Sequence, residues 1–279
     1  MKMMKNGILA VVIGFFAFFA ACSDDDHNGG KNTPGKQVIE AFQAKYATAS
    51  NVEWKMDNGY ARADFTFEGK SCEAWFSQSG KWLLTETDLS YNQLPSAVKT
   101  GFEAGAYSTW KVEDVEMLER LNMPLSYRIE VEQGQQERTL YYDEEGNLRR
   151  EADDNSTTDL PTAMVSFIQK DYPQSVIVDS DFLIDGRKIV TILDEGRVKE
   201  VLFASDNSWL QTQWKVLLTE LPQPVLNTLK GNAFVGYTLI GAEFREYASG
   251  DDVYRIELQK NGSLNMFVEI YADGSLFLD

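Results

Sequence analysis

The chain has 279 residues and a formal net charge of −17, with 43% hydrophobic residues, enough for a buried core. The acid surplus disfavours nucleic acid as a partner, because a phosphate backbone calls for clustered Lys and Arg. The single histidine, His27, sits in a polar stretch near the N-terminus, so a Ser-His-Asp or Cys-His centre and a His-rich zinc site are excluded from the folded body.

Residues 1–21 carry Lys2 and Lys5 and then an apolar run from 7 to 21, the layout of a secretory signal peptide rather than a mature membrane span. Ala20-Ala21-Cys22 resembles the lipobox of bacterial lipoproteins, which implies that Cys22 is diacylated and becomes the mature N-terminus. Phe19 stands where that motif usually has Leu, and an ordinary cleaved signal is the alternative. Removal of the two leader lysines takes the formal charge from −17 to −19. Residues 22–34 then read as a flexible acidic tether. Within it, Ser23-Asp24-Asp25-Asp26 resembles the surface-export signal of lipoproteins from some gut-dwelling Gram-negative bacteria. That resemblance implies an outer-membrane lipoprotein exposed at the cell surface. The periplasmic face of the same membrane is the alternative, with the acidic run as a solvated spacer.

With Cys22 lipidated, Cys72 is the remaining thiol and an intrachain disulfide is excluded. The alternation Cys72, Ala74, Phe76 predicts that it is a small buried hydrophobe.

Val38, Phe42 and Tyr46 recur at helical spacing after Pro34 and predict the first helix. Strands follow at 52–56, 60–67, 71–76 and 81–87, joined by Asp57-Asn58-Gly59 and Glu68-Gly69-Lys70. A second helix begins at Leu94-Pro95 with Val98, Phe102 and Tyr107 inward, weakened by Gly101 and Gly105. Strands are expected at 110–118, 127–132 and 136–142, with Ile129 and Val131 on an apolar face and Arg128, Glu130 and Glu132 pointing away from it. Ala152 to Thr158 form the most polar window of the body and mark a boundary; as a calcium loop they lack the Gly and Glu of an EF-hand. Leu160-Pro161 opens a third helix through Met164, Phe167, Ile168 and Tyr172, followed by strands at 175–181, 188–193 and 197–203. Leu221-Pro222 opens a fourth through Val225, Leu229 and Phe234, followed by strands at 236–244, 253–259, 264–271 and 276–278.

Two landmarks keep one irregular register. Leu-Pro recurs at 94, 160 and 221, and an aromatic-flanked hairpin turn recurs with Gly80, Gly146, Asn207 and Gly274 at the position that needs positive φ. This is internal duplication. A lone repeat of about sixty residues is marginal, so pairing into two domains is expected.

The Leu-Pro helix, the middle strands Tyr127-Arg128-Ile129-Glu130 and Tyr254-Arg255-Ile256-Glu257, and the closing hairpin resemble the PepSY-like family, which is grouped by fold with the beta-lactamase inhibitor protein. The resemblance implies an α+β fold of two tandem PepSY-like domains. Each would hold two repeats of a helix followed by an antiparallel four-stranded meander, with the helices packed on one sheet face. The expected division is domain 1 at 35–152 (repeats 35–88 and 92–152), a linker at 153–159, and domain 2 at 160–279 (repeats 160–216 and 219–279). It further implies an exported, non-enzymatic module without catalytic residues, and the grouping suggests inhibition of a secreted enzyme or peptidase; no metal or cofactor, a monomer, and a protein or peptide partner are expected. Trp54, Trp75, Trp82 and Trp110 are candidate anchors of a binding surface on the sheet; the other reading packs them under the helices or across the domain junction. Trp82 and Trp209 follow the hairpin at matching positions, which points to one structural role used twice. A structural or envelope-sensing accessory lipoprotein is the rival function, and an acid-pair hydrolase a third, weighed down by acids at alternating outward positions that solvation explains.

Overall fold

The computed structural model describes residues 33–153, 160–260 and 265–277. The signal peptide, Cys22, His27, the tether up to 32 and the linker residues 154–159 lie outside the described residues.

Helix α1 (Lys36–Lys45) precedes strands β1 (Ser50–Asp57), β2 (Tyr60–Phe67), β3 (Lys70–Ser77) and β4 (Trp82–Asp88). Helix α2 (Ser96–Glu103) precedes β5 (Lys111–Arg120), β6 (Ser126–Gln133), β7 (Gln136–Asp143) and β8 (Leu148–Asp153). Helix α3 (Thr162–Asp171) leads into β9 (Val176–Leu183), β10 (Lys188–Asp194), β11 (Arg197–Phe203) and β12 (Trp209–Lys215). Helix α4 (Gln223–Leu229) leads into β13 (Thr238–Tyr247), β14 (Val253–Gln259) and β15 (Met266–Tyr271). Where a further strand was expected at 276–278, the described residues hold one bridge, Ile270 to Leu276.

Each strand pairs antiparallel with the next, so the order in the sheet is the order in the chain. The sheet passes from one half to the other through β8 and β9, which share the pairs Ala152↔Leu183 and Asp153↔Phe182. The Leu-Pro pairs work as read, with one refinement. Pro95, Pro161 and Pro222 are N-cap residues with φ of −55°, −51° and −58°, one place before the first helical turn. Leu94 and Leu221 beside them are buried and pin the start of the helix to the core.

Two helices are shorter than their apolar spacing predicts. Helix α2 ends at Glu103, and Tyr107 lies beyond it in a turn; α4 ends at Leu229, and Phe234 belongs to a separate 3-10 turn. Gly105 and Gly231 follow those helix ends, where the carbonyls of Phe102 and Thr228 accept their N–H groups.

Four apolar cores lie under the four helices. Val38, Phe42 and Tyr46 pack on Ala61, Ala63, Phe65 and Phe76, and the same arrangement recurs with Val98 and Phe102, with Met164 and Ile168, and with Val225. Cross-strand partners carry one face through the whole sheet, and all four cores lie on it. Cys72 is buried in the first of them, as its alternation predicts.

A fifth core lies on the other face. Tyr60, Trp75, Leu83 and Leu84 of the N-terminal half meet Val176, Leu193 and Val198 of the C-terminal half. Strands so far apart in sheet order touch only because the sheet coils, bringing the helix-free face of β2–β4 onto that of β9–β11. Polar contacts lock the closure: Lys81 Nζ donates to Gly196 O at 2.9 Å, and Asn58 Nδ2 to Ser175 O at 2.9 Å.

Candidate binding face

Beside the fifth core, the helix-free face carries charge instead of hydrocarbon. Side chains there alternate with those under the helices, so Arg128 on β6 and Arg150 on β8 share this face with Tyr141 on β7 between them. Arg128 is ringed by carboxylates: Glu116, Asp179 at 3.5 Å and Glu86 at 3.8 Å. Arg150 pairs with Asp181 at 3.0 Å and Glu200 at 3.3 Å, and Arg120 reaches Glu200 at 3.6 Å. Tyr141 donates to Asp181 at 2.7 Å, and its ring lies 4.0 Å from the Arg150 guanidinium. Gln213 closes the line by donating to Glu200 at 2.9 Å.

These groups are desolvated, and their protonation equilibria show it. Burial pushes the Glu86 carboxyl up to about 7; Arg128 opposes the shift, while Glu116 and Asp179 add to it. Glu116 and Asp181 are likewise raised, mainly by burial. Burial also pushes against Glu200, yet the two guanidiniums beside it outweigh that and hold its carboxyl below the ordinary value. Acids on alternating positions were expected to be solvated; on this face they are paired and buried, because the sheet coils over them.

Of the hollows that open along the belt, two are lined by Tyr141. One of about 390 Å³ is lined by Arg128, Tyr141, Asp153, Ile177, Asp179 and Asp181. The other, of about 630 Å³, is bounded by Arg120, Leu125, Tyr141, Arg149, Ile189 and Glu200. Tyr141 is the wall between them. Of the carboxylates lining the first, Asp179 pairs with Arg128, Asp181 with Arg150 and Asp153 with Arg138. Cys72 is buried with its thiol pushed up by burial, and it faces Thr87 rather than a base. The arrangement is a preformed pattern of paired charges around a buried tyrosine, suited to recognition.

The four candidate tryptophans do not share one surface. Trp54 packs under α1, with its ring 5.1 Å from that of Phe42. Trp82 is on the same face and donates its indole N–H to Thr85 Oγ1 at 2.8 Å. Trp110 lies against Tyr107, 4.9 Å away, beside the second core. Trp75 points to the opposite face, 6% exposed in the core between the halves, with its N–H on Glu73 at 2.8 Å. The sequence sets Arg128 on an outward face but singles out none of the belt residues, above all Tyr141, Arg128 and Arg150, as a site. The signal that marks them is the outward parity of Arg128 and Glu130 beside Ile129 and Val131.

The family's sequence model, described as beta-lactamase-inhibitor-like and PepSY-like, matches residues 59–150 and again 187–275. The chain belongs to the PepSY-like family. Among solved structures it is similar to a BLIP-like protein from Bacteroides fragilis, with 36% identity over 47% of this chain and 94% of that one and a TM-score of 0.43. It is also similar to a DUF2874 family protein from Bacteroides ovatus, with 31% identity over 46% of this chain and 94% of that one and a TM-score of 0.43. A protein from Bacteroides eggerthii described as periplasmic is 24% identical over 43% of this chain and 89% of that one, with a TM-score of 0.41. No curated protein matches. The two PepSY-like matches correspond strand for strand: β2–β6 recur as β10–β14, and the pair Arg128 and Glu116 recurs 127 positions on as Arg255 and Glu243.

Proposed function

We propose that this PepSY-like chain is an exported, non-enzymatic binding module that holds a protein or peptide partner on the helix-free face of its sheet. The observation that carries this reading is the belt of paired Arg and acid side chains around Tyr141, with hollows of about 390 and 630 Å³ on either side. A preformed, desolvated charge pattern favours one partner over others and loses little entropy on binding. The family's grouping with a beta-lactamase inhibitor supports capture without turnover. The partner class this reading names is a secreted enzyme or peptidase blocked by that capture. The body is taken as two tandem PepSY-like domains, at 35–152 and 160–279, tethered through lipidated Cys22 to the outer membrane at the cell surface. Among the described residues no helix is long and apolar enough to cross a membrane.

The alternative, a structural or envelope-sensing accessory lipoprotein, draws on the fifth core, which already covers part of the helix-free face with the chain itself. Capture of envelope proteins by the full chain separates the two. Ile177 is 37% exposed and lines the smaller hollow. A partner retained by the native chain and lost with Ile177→Arg supports the binding module, and equal retention by both refutes this face as its site. Labelling with radioactive palmitate, lost in Cys22→Ser, tests the anchor.

A further inference from the structure

The two halves build the same corner and finish it differently. In the N-terminal half, α1 ends at Lys45 and is capped by Tyr46, whose hydroxyl meets Thr85 Oγ1. Trp82 donates to the same Thr85 oxygen, and Thr85 lies across the strand pair from Glu119. Lys45 closes the corner: its ammonium lies 4.2 Å from the Trp82 ring centre, 5.4 Å from that of Tyr46 and 3.7 Å from Glu119.

In the C-terminal half, α3 ends at Asp171 and is capped by Tyr172, whose hydroxyl is 2.8 Å from Thr212 Oγ1. Trp209 donates to Thr212 at 3.0 Å, and Thr212 lies across from Glu246. The tyrosine, threonine, tryptophan and glutamate recur, but an acid stands at the cation's position, Phe167 stacks on Trp209 at 4.9 Å, and the Tyr172 hydroxyl also donates to Glu246 at 2.6 Å. The result is an open hollow of about 400 Å³ walled by Phe167, Tyr172 and Trp209 and edged by Asp171, Glu246 and Asp252, with no basic residue in its lining. The nearby lysines are engaged elsewhere. Lys199 reaches the buried side of Tyr172 at 5.1 Å but is held by Asp194 at 2.7 Å, and Lys170 pairs with Asp171 at 3.5 Å from its exposed side.

We propose that this corner binds an alkylammonium group supplied from outside the chain, seated on Trp209 and Tyr172 with Glu246 as its counter-ion, where Lys45 sits in the other half. Aromatic faces attract cations through their quadrupole, most strongly where the site is partly desolvated. The three carboxylates and the negative end of α3 add to that attraction. The site lies on the helix side of the sheet and stands apart from the face assigned to the protein partner.

The test titrates the full chain with N-acetyl-lysine amide, with choline, and with N-acetyl-norleucine amide as the neutral isostere, following the Trp209 indole N–H resonance. Saturable binding of a cationic probe at about millimolar affinity is expected, with no saturation by the norleucine compound. Response to the lysine amide alone identifies a protein lysine as the source; response to choline alone identifies a free quaternary amine. Asp171→Lys rebuilds the internal cation at an exposed position and should weaken binding at least about tenfold with the melting temperature kept, and Glu246→Gln should weaken it in the same direction. No saturable shift with either cation, equal response to norleucine, or undiminished binding by Asp171→Lys overturns the proposal.

Discussion

Gly146 lies so close to the Ala97 carbonyl that a Cβ on it would stand 2.2 Å from that oxygen. The same contact joins Gly80 to Gln37 O and Gly274 to Pro224 O, where a Cβ would fall at 2.6 and 2.8 Å. In each case the carbonyl belongs to the second residue of a helix. The closing hairpin therefore docks on the first turn of the helix of its own repeat, and the glycine serves both the positive φ of the turn and this approach.

Gly146→Ala should consequently cost more than the backbone conformation alone explains. Gly134 has a positive φ of 68° with open space around its would-be Cβ, so Gly134→Ala isolates the conformational cost, about 1 kcal/mol. Gly146→Ala adds a clash with fixed helix backbone and should lose about 3 kcal/mol or more. Urea unfolding of the two variants checks this, and equal losses would refute the docking argument.

The hairpins were legible in the sequence because a positive-φ residue between flanking strands is a local signal. Their hydrogen bonds repeat: Ser77 N to Lys81 O, Asp143 N to Asn147 O, Ala204 N to Ser208 O and Tyr271 N to Ser275 O. The docking onto the helix was not legible, since Ala97 is far from Gly146 in the chain and nothing in either residue announces the other. The same division holds for the binding face. The alternation around Ile129 told which side chains leave the helix-covered core, but not that the sheet would coil and bury Glu86 and Glu200 on its far side. The tryptophans misled in part for that reason: aromatic content is visible in a sequence, whereas the face each ring joins depends on strand parity across bulges such as the one between Trp75 and Phe76.

Thr85 and Thr212 are predicted to be worth more than their size. Each presents one hydroxyl to a tyrosine at a helix end and to a tryptophan N–H. Thr85→Val keeps the shape and removes the hydroxyl, leaving two polar groups without their partner, at about 1–3 kcal/mol. Thr85→Ser keeps the hydroxyl and should lose less. Thermal melts of the two variants, and of Thr212→Val beside them, give the comparison; a Val variant as stable as the native chain would remove the hub from the account.

Stability should fall as pH rises from about 4.5 to about 7, on account of Glu86. Its ordinary value is 4.5 and the folded chain raises it to about 7, so the folded state holds the proton more tightly than the unfolded one. The contribution is fully present below the unfolded value and is lost as pH climbs through the folded one, in total about 3 kcal/mol. Glu116 and Asp181, also raised, act in the same direction. Glu200, lowered by Arg150 and Arg120, acts in the opposite sense, but below this window. Urea midpoints at pH 5 and pH 8 should therefore differ more for the native chain than for Glu86→Gln, which cannot ionise.

Lys199 and Asp194 offer a last test, in which one half of the molecule is the control for the other. The two are buried and paired at 2.7 Å, with the ammonium 4.4 Å from the Trp214 ring. At the positions 127 residues earlier the N-terminal half has Cys72, Phe67 and Thr87, with Cys72 3.6 Å from Thr87. One site is thus filled with an ion pair and its counterpart with small or apolar groups. Removing one partner alone leaves a buried charge unpaired, so Lys199→Cys should cost about 3–5 kcal/mol. Removing both, as in Lys199→Cys with Asp194→Phe, transplants the solution of the other half and should recover most of that loss. Denaturant unfolding of the two single variants and the double variant measures the coupling directly. Additive losses would mean that the pair contributes no joint term and that the two halves are not interchangeable at this position.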